Sequence, residues 1–437
     1  MRHSKIFGVS AIAVAFAVIS TTSVSADDNE RPPIEYSRST PDNCVSKLQS
    51  RIQDGKLKLE YSDQLGYLPA LLKALDVPVE SQLLVFSKTS LQRHCISPRT
   101  PRAIYFNDDV YIGYCASGEM LEVSAVDPQL GAVFYTLDQT KADAPHFLRQ
   151  TENCLVCHSS SRTEGVPGHL VRSLFVDAGG QPILSAGSYS VDHSTPLAQR
   201  WGGWYVTGTH GSQTHMGNLI VRGQEVRLPV DNAQGQNVTK LADRLAVENY
   251  LAPHSDLIAL MVLEHQTLVQ NHLTKANFAA RQALQYEMEM NRTLGEPEGR
   301  RMESTTRRIQ SAGNDLVEVL LLVDEAKLTA PISGTSDYAS KFSRLGPRDD
   351  QGRSLRDLEL QRRLFKYPCS YLIYSPAFDG LPREMRDYVW QRLWDVLSNP
   401  NEAKFQHLST EDRRAIVEIL RDTKRDLPPY WTAAVDH

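Results

Sequence analysis

Five consecutive residues carry the most specific chemistry in the sequence: Cys154-Leu155-Val156-Cys157-His158. Two thiols three positions apart fall on one helical turn. There each can add to a vinyl group of one haem, and the adjacent histidine offers its imidazole to the iron from the same side. Other uses of the pattern fit less well. A thioredoxin-like pair closes a strand and opens a helix, and the flanks Glu152-Asn153 and Ser159-Ser160-Ser161 lack that character. A zinc site needs two further ligands, yet the chain holds no second C-x-x-C. A plain disulfide across two residues is strained. The motif therefore predicts one covalently attached haem c, tethered by Cys154 and Cys157, with His158 as the proximal iron ligand.

The second axial position decides what such an iron does. A Met or His there closes it for electron transfer, whereas an open position binds peroxide, oxygen or another small ligand. Met216 is one candidate distal ligand, in Thr209-His210-Gly211-Ser212-Gln213-Thr214-His215-Met216-Gly217. Its ordinary alternative is a core or loop residue. His265 is the other, a polar group after the apolar run Leu257–Leu263, with His272 on the same helical face. Its ordinary alternative is a core histidine bonded to a backbone carbonyl. His210 and His215 follow as ligand, proton donor or solvated loop residues, while His169 and His193 read as surface or turn residues. Arg149, Arg162, Arg172 and Arg200 are candidate partners for haem propionates. Trp201-Gly202-Gly203-Trp204-Tyr205 reads as core packing or as a shield for the haem edge.

The elements that must hold these residues change character along the chain. Residues 1–26 read as a signal peptide: Arg2 and Lys5, an apolar stretch Ile6–Ile19, then Val24-Ser25-Ala26. Residues 27–60 read as an N-terminal tail with an amphipathic piece from Cys44 to Ile52. The region 61–235 is rich in strand signals and contains the motif. It includes hairpins over 103–114 and 120–137, a third over 170–184, and short strands at 204–207 and 218–221. The region 236–330 is helical in pattern, from Val238 to about Leu294 and again near 300–328. Residues 331–354 read as a loop, and 355–437 as helices near 355–366, 382–397 and 409–423. The sum is an α+β chain, a β-rich haem region followed by a mostly helical one.

The chain has 437 residues, with 47 Lys+Arg against 52 Asp+Glu. A net charge of −5 gives no basic field for nucleic acid. No stretch after the leader reaches the roughly 18 apolar residues of a membrane span. The expected location is periplasmic or secreted, where Cys44, Cys95, Cys115 and Cys369 are free to pair in any of three ways.

Cys154 to His158 resembles the haem-attachment motif of c-type cytochromes. The wider context departs from the compact electron carriers, which are small, all-helical and built around the motif. The chain more closely resembles the large exported cytochrome-c-domain proteins of environmental bacteria such as planctomycetes. Arg363–Tyr374 and Met261-Val262-Leu263-Glu264-His265-Gln266 share that character. The resemblance implies a haem protein without supplying a reaction, and no catalytic residue is assigned. The first expectation is a mono-haem protein passing single electrons to a redox partner protein or a small donor or acceptor. The alternatives are a peroxidase-like haem oxidoreductase with an open distal site, and a non-haem structural protein whose motif is a disulfide or zinc clip.

Overall fold

A computed structural model describes residues 26–222, 226 and 230–432, so the expected signal peptide lies outside the described residues up to Ser25. Two helices, α1 (Cys44–Gln53) and α2 (Leu68–Ala74), precede a six-stranded antiparallel sheet. Its strands follow one another in chain order: β1 (Leu83–Val85), β2 (Arg102–Phe106), β3 (Val110–Tyr114), β4 (Met120–Asp127), β5 (Gly131–Asp138) and β6 (Phe147–Gln150). The turns are written in the sequence. Asn107 Oδ1 accepts from the N–H groups of Asp109 and Val110, and Asp127 Oδ1 from those of Gln129 and Leu130. Gly131 closes the second turn at φ 71°, where the Pro167 carbonyl and the Thr274 side chain leave no room for a Cβ.

Alternation along the strands sends side chains to two separate cores. Tyr105, Ile112, Val123 and Tyr135 pair across neighbouring strands and pack with α1 and α2. Phe106, Tyr111, Ser124 and Phe134 form the neighbouring cross-strand row on the other face, which meets the helical half. Because both faces are covered, every residue of β3 is buried. The segment expected as a tail takes part: Ile34 and Tyr36 are fully buried, and Tyr36 donates to the Ala132 carbonyl at 2.8 Å.

After β6 come a single turn α3 (Leu155–His158) and a two-stranded sheet, β7 (Val171–Leu174) with β8 (Ser188–Val191). The hairpin expected over 170–184 is longer than that. Its turn and a bridge between Val176 and Pro182 are present, but regular pairing resumes only at Ser188. Residues 204–207 and 218–221 form no strand, only isolated bridges from Trp204 to Val85 and from Thr207 to Asp256.

The helical half is built on α4 (Leu257–Leu294), followed by α5 (Glu303–Leu320), α6 (Tyr338–Arg344), α7 (Pro376–Asp379), α8 (Arg383–Ser398) and α9 (Thr410–Thr423). The helix expected from Val238 starts only at Leu257. Pro253 biases its predecessor away from helix, and Asp256 caps the N–H groups of Ile258 and Ala259. The helix expected at 355–366 is absent. Asp357 captures the Ser354 N–H, and Glu359 Oε2 accepts from three backbone N–H groups, of Gln361, Arg362 and Arg363. Side chains that take the backbone donors in this way compete with a helix, and Leu360 sits at φ 62°. The fold is α+β, an antiparallel sheet followed by a mostly helical region. Among the described residues no helix is long and apolar enough to cross a membrane.

Candidate functional site

The motif leaves the edge strand β6 and forms one turn, with the N–H groups of Cys157 and His158 both donating to the Cys154 carbonyl. Leu155 anchors this turn against the core shared with α1 and α2. Val156, at 79 % exposure, and Cys157 face outward, while Cys154 and His158 are partly buried. Asn29 fastens the segment after the turn, donating to Ser159 Oγ at 3.2 Å and to the Gly165 carbonyl at 3.0 Å.

His158 is oriented by a backbone carbonyl. Its Nδ1 lies 2.9 Å from Gly168 O, and the Gly168 N–H returns a bond of 2.8 Å to His158 O. A carbonyl only accepts, so Nδ1 carries the proton and Nε2 keeps its lone pair. Nε2 makes no hydrogen bond among the described residues. The ring packs 4.7 Å from Phe134 on β5. Burial holds its pKa below the ordinary histidine value, opposed by the Gly168 bond, with Arg102 lowering it further. A neutral imidazole with Nδ1 fixed by a carbonyl is the form in which histidine binds a metal.

Gly168 itself is demanded by packing, because a Cβ there would collide with the Asn271 carboxamide. That carboxamide brackets the next residue, accepting from His169 N at 2.9 Å and donating to His169 O at 2.7 Å. His169, expected at the surface, is buried. It bonds Ser124 Oγ and packs 4.2 Å from the Tyr111 ring, with its Nδ1 unpartnered. Burial, and then the charge of His158, push its pKa down to about 3. Sequence reasoning misses Pro167-Gly168-His169. The glycine-histidine step ten residues after His158 is the only local signal for it.

Met216 and His265 are both engaged elsewhere. Met216 is buried beside Phe175, Leu219 and Val221, and its Sδ accepts from Ser173 Oγ at 3.6 Å. His265 is fully buried within α4, with Nδ1 3.2 Å from His193 Nδ1 and Nε2 2.8 Å from Ser370 Oγ. Neither has a hydrogen bond or ring contact with His158 among the described residues. His193, also expected at the surface, is buried, because its second nitrogen reaches the Val323 carbonyl at 3.2 Å. His210 and His215 pack edge-on to each other at 4.7 Å, and His215 lies 5.2 Å from Trp201.

Two of the four arginines are committed to the fold. Arg149 donates to the carbonyls of Ser39 and Tyr36 at 2.7 and 2.6 Å. Arg200 is buried in an ion pair with Glu264 at 2.7 Å, and Trp201 Nε1 donates to the other oxygen of that carboxylate. Arg162 and Arg172 have no carboxylate partner among the described residues. Burial and the charge of Arg162 lower the Arg172 pKa, while Cys157 raises it.

A covalently held haem would need two free thiols on one turn and an imidazole nitrogen without a hydrogen bond, and Cys154, Cys157 and His158 Nε2 offer those. Among the described residues no three His, Cys, Asp or Glu side chains converge on one point that could hold a metal ion. A zinc clip needs such convergence, and a haem motif does not, because its thiols bind the porphyrin rather than the iron. No protein-family model matches the chain, and neither does any curated protein or solved structure.

Proposed function

We propose that the chain is an exported mono-haem c-type protein that passes single electrons between its haem and a redox partner. One observation carries this reading: within the C-x-x-C-H turn, His158 Nδ1 is held by the Gly168 carbonyl, leaving Nε2 to serve as a ligand. Cys154 and Cys157 would tether the group and His158 would ligate it. Phe134 would limit rotation of the imidazole, and Arg162 and Arg172 would neutralise its carboxylates. When bound, haem supplies a reversible one-electron couple whose potential follows axial ligation, hydrogen bonding and burial.

A second reading has its own support. Met216 Sδ and both nitrogens of His265 are hydrogen-bonded away from the motif. That favours an open distal position and a haem oxidoreductase. Visible spectra of the oxidised and reduced protein, produced in a host that matures c-type haem, separate the two. Low-spin bands unmoved by cyanide support electron transfer. A high-spin ferric spectrum that shifts with cyanide supports the oxidoreductase, and Met216→Leu and His265→Gln should then leave it unchanged. A chain of unmodified mass from that host rejects both and returns the motif to a structural clip.

A further inference from the structure

A cavity of about 440 Å³ opens between the β2–β3 turn and α6, lined by Phe106, Tyr338 and Phe342 among apolar groups and by Asp108, Asp109 and Gln266 among polar ones. Most of its polar groups are satisfied. Asp108 is paired with Arg356, whose guanidinium lies 4.1 Å from the Tyr371 ring centroid. Lys341 at the rim pairs with Glu80 at 2.5 Å, and exposed Arg344 is bonded to Ser340 of its own helix. Gln266 donates to Tyr111 Oη and the Asn107 carbonyl, both at 2.7 Å, and accepts from Tyr371 at 2.6 Å.

Besides Asp76, whose carboxylate lies exposed at the rim, two polar groups are left. The Asp109 carboxylate makes no ion pair or hydrogen bond among the described residues. Neither does the Tyr338 hydroxyl, although Tyr338 is only 4 % exposed. A half-buried carboxylate without a partner is costly. Burial and the neighbouring Asp108 charge push Asp109 up to about 6. Aromatic faces beside an unpaired carboxylate suit a ligand that is positive at one end and apolar at the other.

We propose that this cavity binds a small organic cation, an alkyl- or arylammonium, whose N–H groups donate to Asp109 and to the Tyr338 hydroxyl oxygen while its apolar part packs on Phe106 and Phe342. The proposal stands apart from the haem reading, since none of these residues belongs to the C-x-x-C-H turn. Calorimetric titration of the full chain with benzylammonium and with neutral benzyl alcohol compares charge at nearly constant shape. Benzylammonium should bind saturably near neutral pH and at least about tenfold tighter than the alcohol. Its affinity should fall as Asp109 takes up a proton below about pH 6. Asp109→Asn should abolish the preference for the cation, and Tyr338→Phe should weaken it less. Equal affinity for the two probes, no saturable binding of benzylammonium, or an Asp109→Asn chain that keeps the preference would overturn the proposal. The comparison of the two probes on the natural chain needs no variant. The same titration on Cys154→Ala/Cys157→Ala should give the same result whatever becomes of the haem.

Discussion

His158 and His265 stand in opposite surroundings. His158 lies on a single turn at the protein surface, with one nitrogen fixed by Gly168 and the other unbonded. His265 lies inside the longest helix, both nitrogens bonded and its ring 5.0 Å from Phe365. Around it, Glu264, Arg200, Trp201, His193 and Ser370 satisfy one another without solvent. A fully satisfied buried network fixes one packing of the core. A fixed imidazole with a spare nitrogen is a preformed binding group. Under the proposed function the His158 turn should govern cofactor chemistry and the network around His265 should govern stability, so variants ought to separate the two properties.

The largest effect should come from the buried side. Glu264→Ala leaves the Arg200 guanidinium buried without a carboxylate and the Trp201 N–H without an acceptor. Breaking a buried pair on one side costs about 3–5 kcal/mol. Urea unfolding should show that loss while the haem content per folded chain stays the same. A loss below about 1 kcal/mol, the range of a solvated pair, would mean that the network is open to water.

Gly168→Ala should come next, because it acts where the two kinds of site touch. The new Cβ displaces the Asn271 carboxamide from its bonds to His169, at about 1–3 kcal/mol for buried groups left unpaired. It also shifts the carbonyl that holds His158. Nitrogen-15 NMR of the haem-free chain should report His158 as a mixture of tautomers in the variant and as Nδ1–H alone in the natural protein. An unchanged tautomer would show that the Gly168 bond does not orient the ring.

The outcome of reading the sequence divides along the same line. The sheet was legible because alternating β-branched and aromatic residues around Asn107-Asp108-Asp109 and Asp127–Gly131 define the β2–β3 and β4–β5 hairpins by local chemistry alone. The spacing of Cys154, Cys157 and His158 suggested one turn, and one turn is what they form. Illegible were features set by contacts distant in sequence. His169 is buried by Ser124 and Asn271, and His193 by His265, none of them a sequence neighbour. Residues 355–366 have helical periodicity, yet Asp357 and Glu359 divert the backbone donors, a competition that periodicity does not register.

Acid should reveal the buried histidines. Burial lowers the pKa of His169 and His215 to about 3 and of His193 to about 4. Unfolded histidines titrate near 6.5, so between these values the unfolded chain binds protons that the native chain refuses. Their stabilisation is complete above about pH 6.5 and is lost as pH falls toward 3–4. Glu264 and Glu325, raised to about 7 mainly by burial, act in the opposite sense. The native chain binds their protons first, so they add stability as pH falls from about 7 to the unfolded carboxylate value near 4.3. His265, lowered well below the ordinary value by burial and then by His193, joins the first set, so four histidines outweigh the two glutamates. Melting temperature should therefore fall as pH drops below about 6.5, and more steeply below about 4.5, where the glutamate gain ends. A melting temperature that stays level from pH 7 to 5 would show that the buried histidines take up protons in the native state.

The smallest effect on the fold should accompany the largest effect on the cofactor. Cys157 is exposed, Cys154 is partly buried, and neither thiol is bonded to the other. Replacing both with alanine removes no buried apolar volume of consequence and no hydrogen bond from the core. The haem-free chain should therefore change in stability by no more than about 0.5 kcal/mol, the usual range for surface substitutions. The same double variant, made where c-type haem is matured, should carry no covalent haem by intact mass, although His158 and its Gly168 bond are untouched. A loss of several kcal/mol in the haem-free chain would mean that this turn is part of the structural core. The motif would then resemble the His265 network in purpose, and the division between a stabilising interior and a binding surface would not hold.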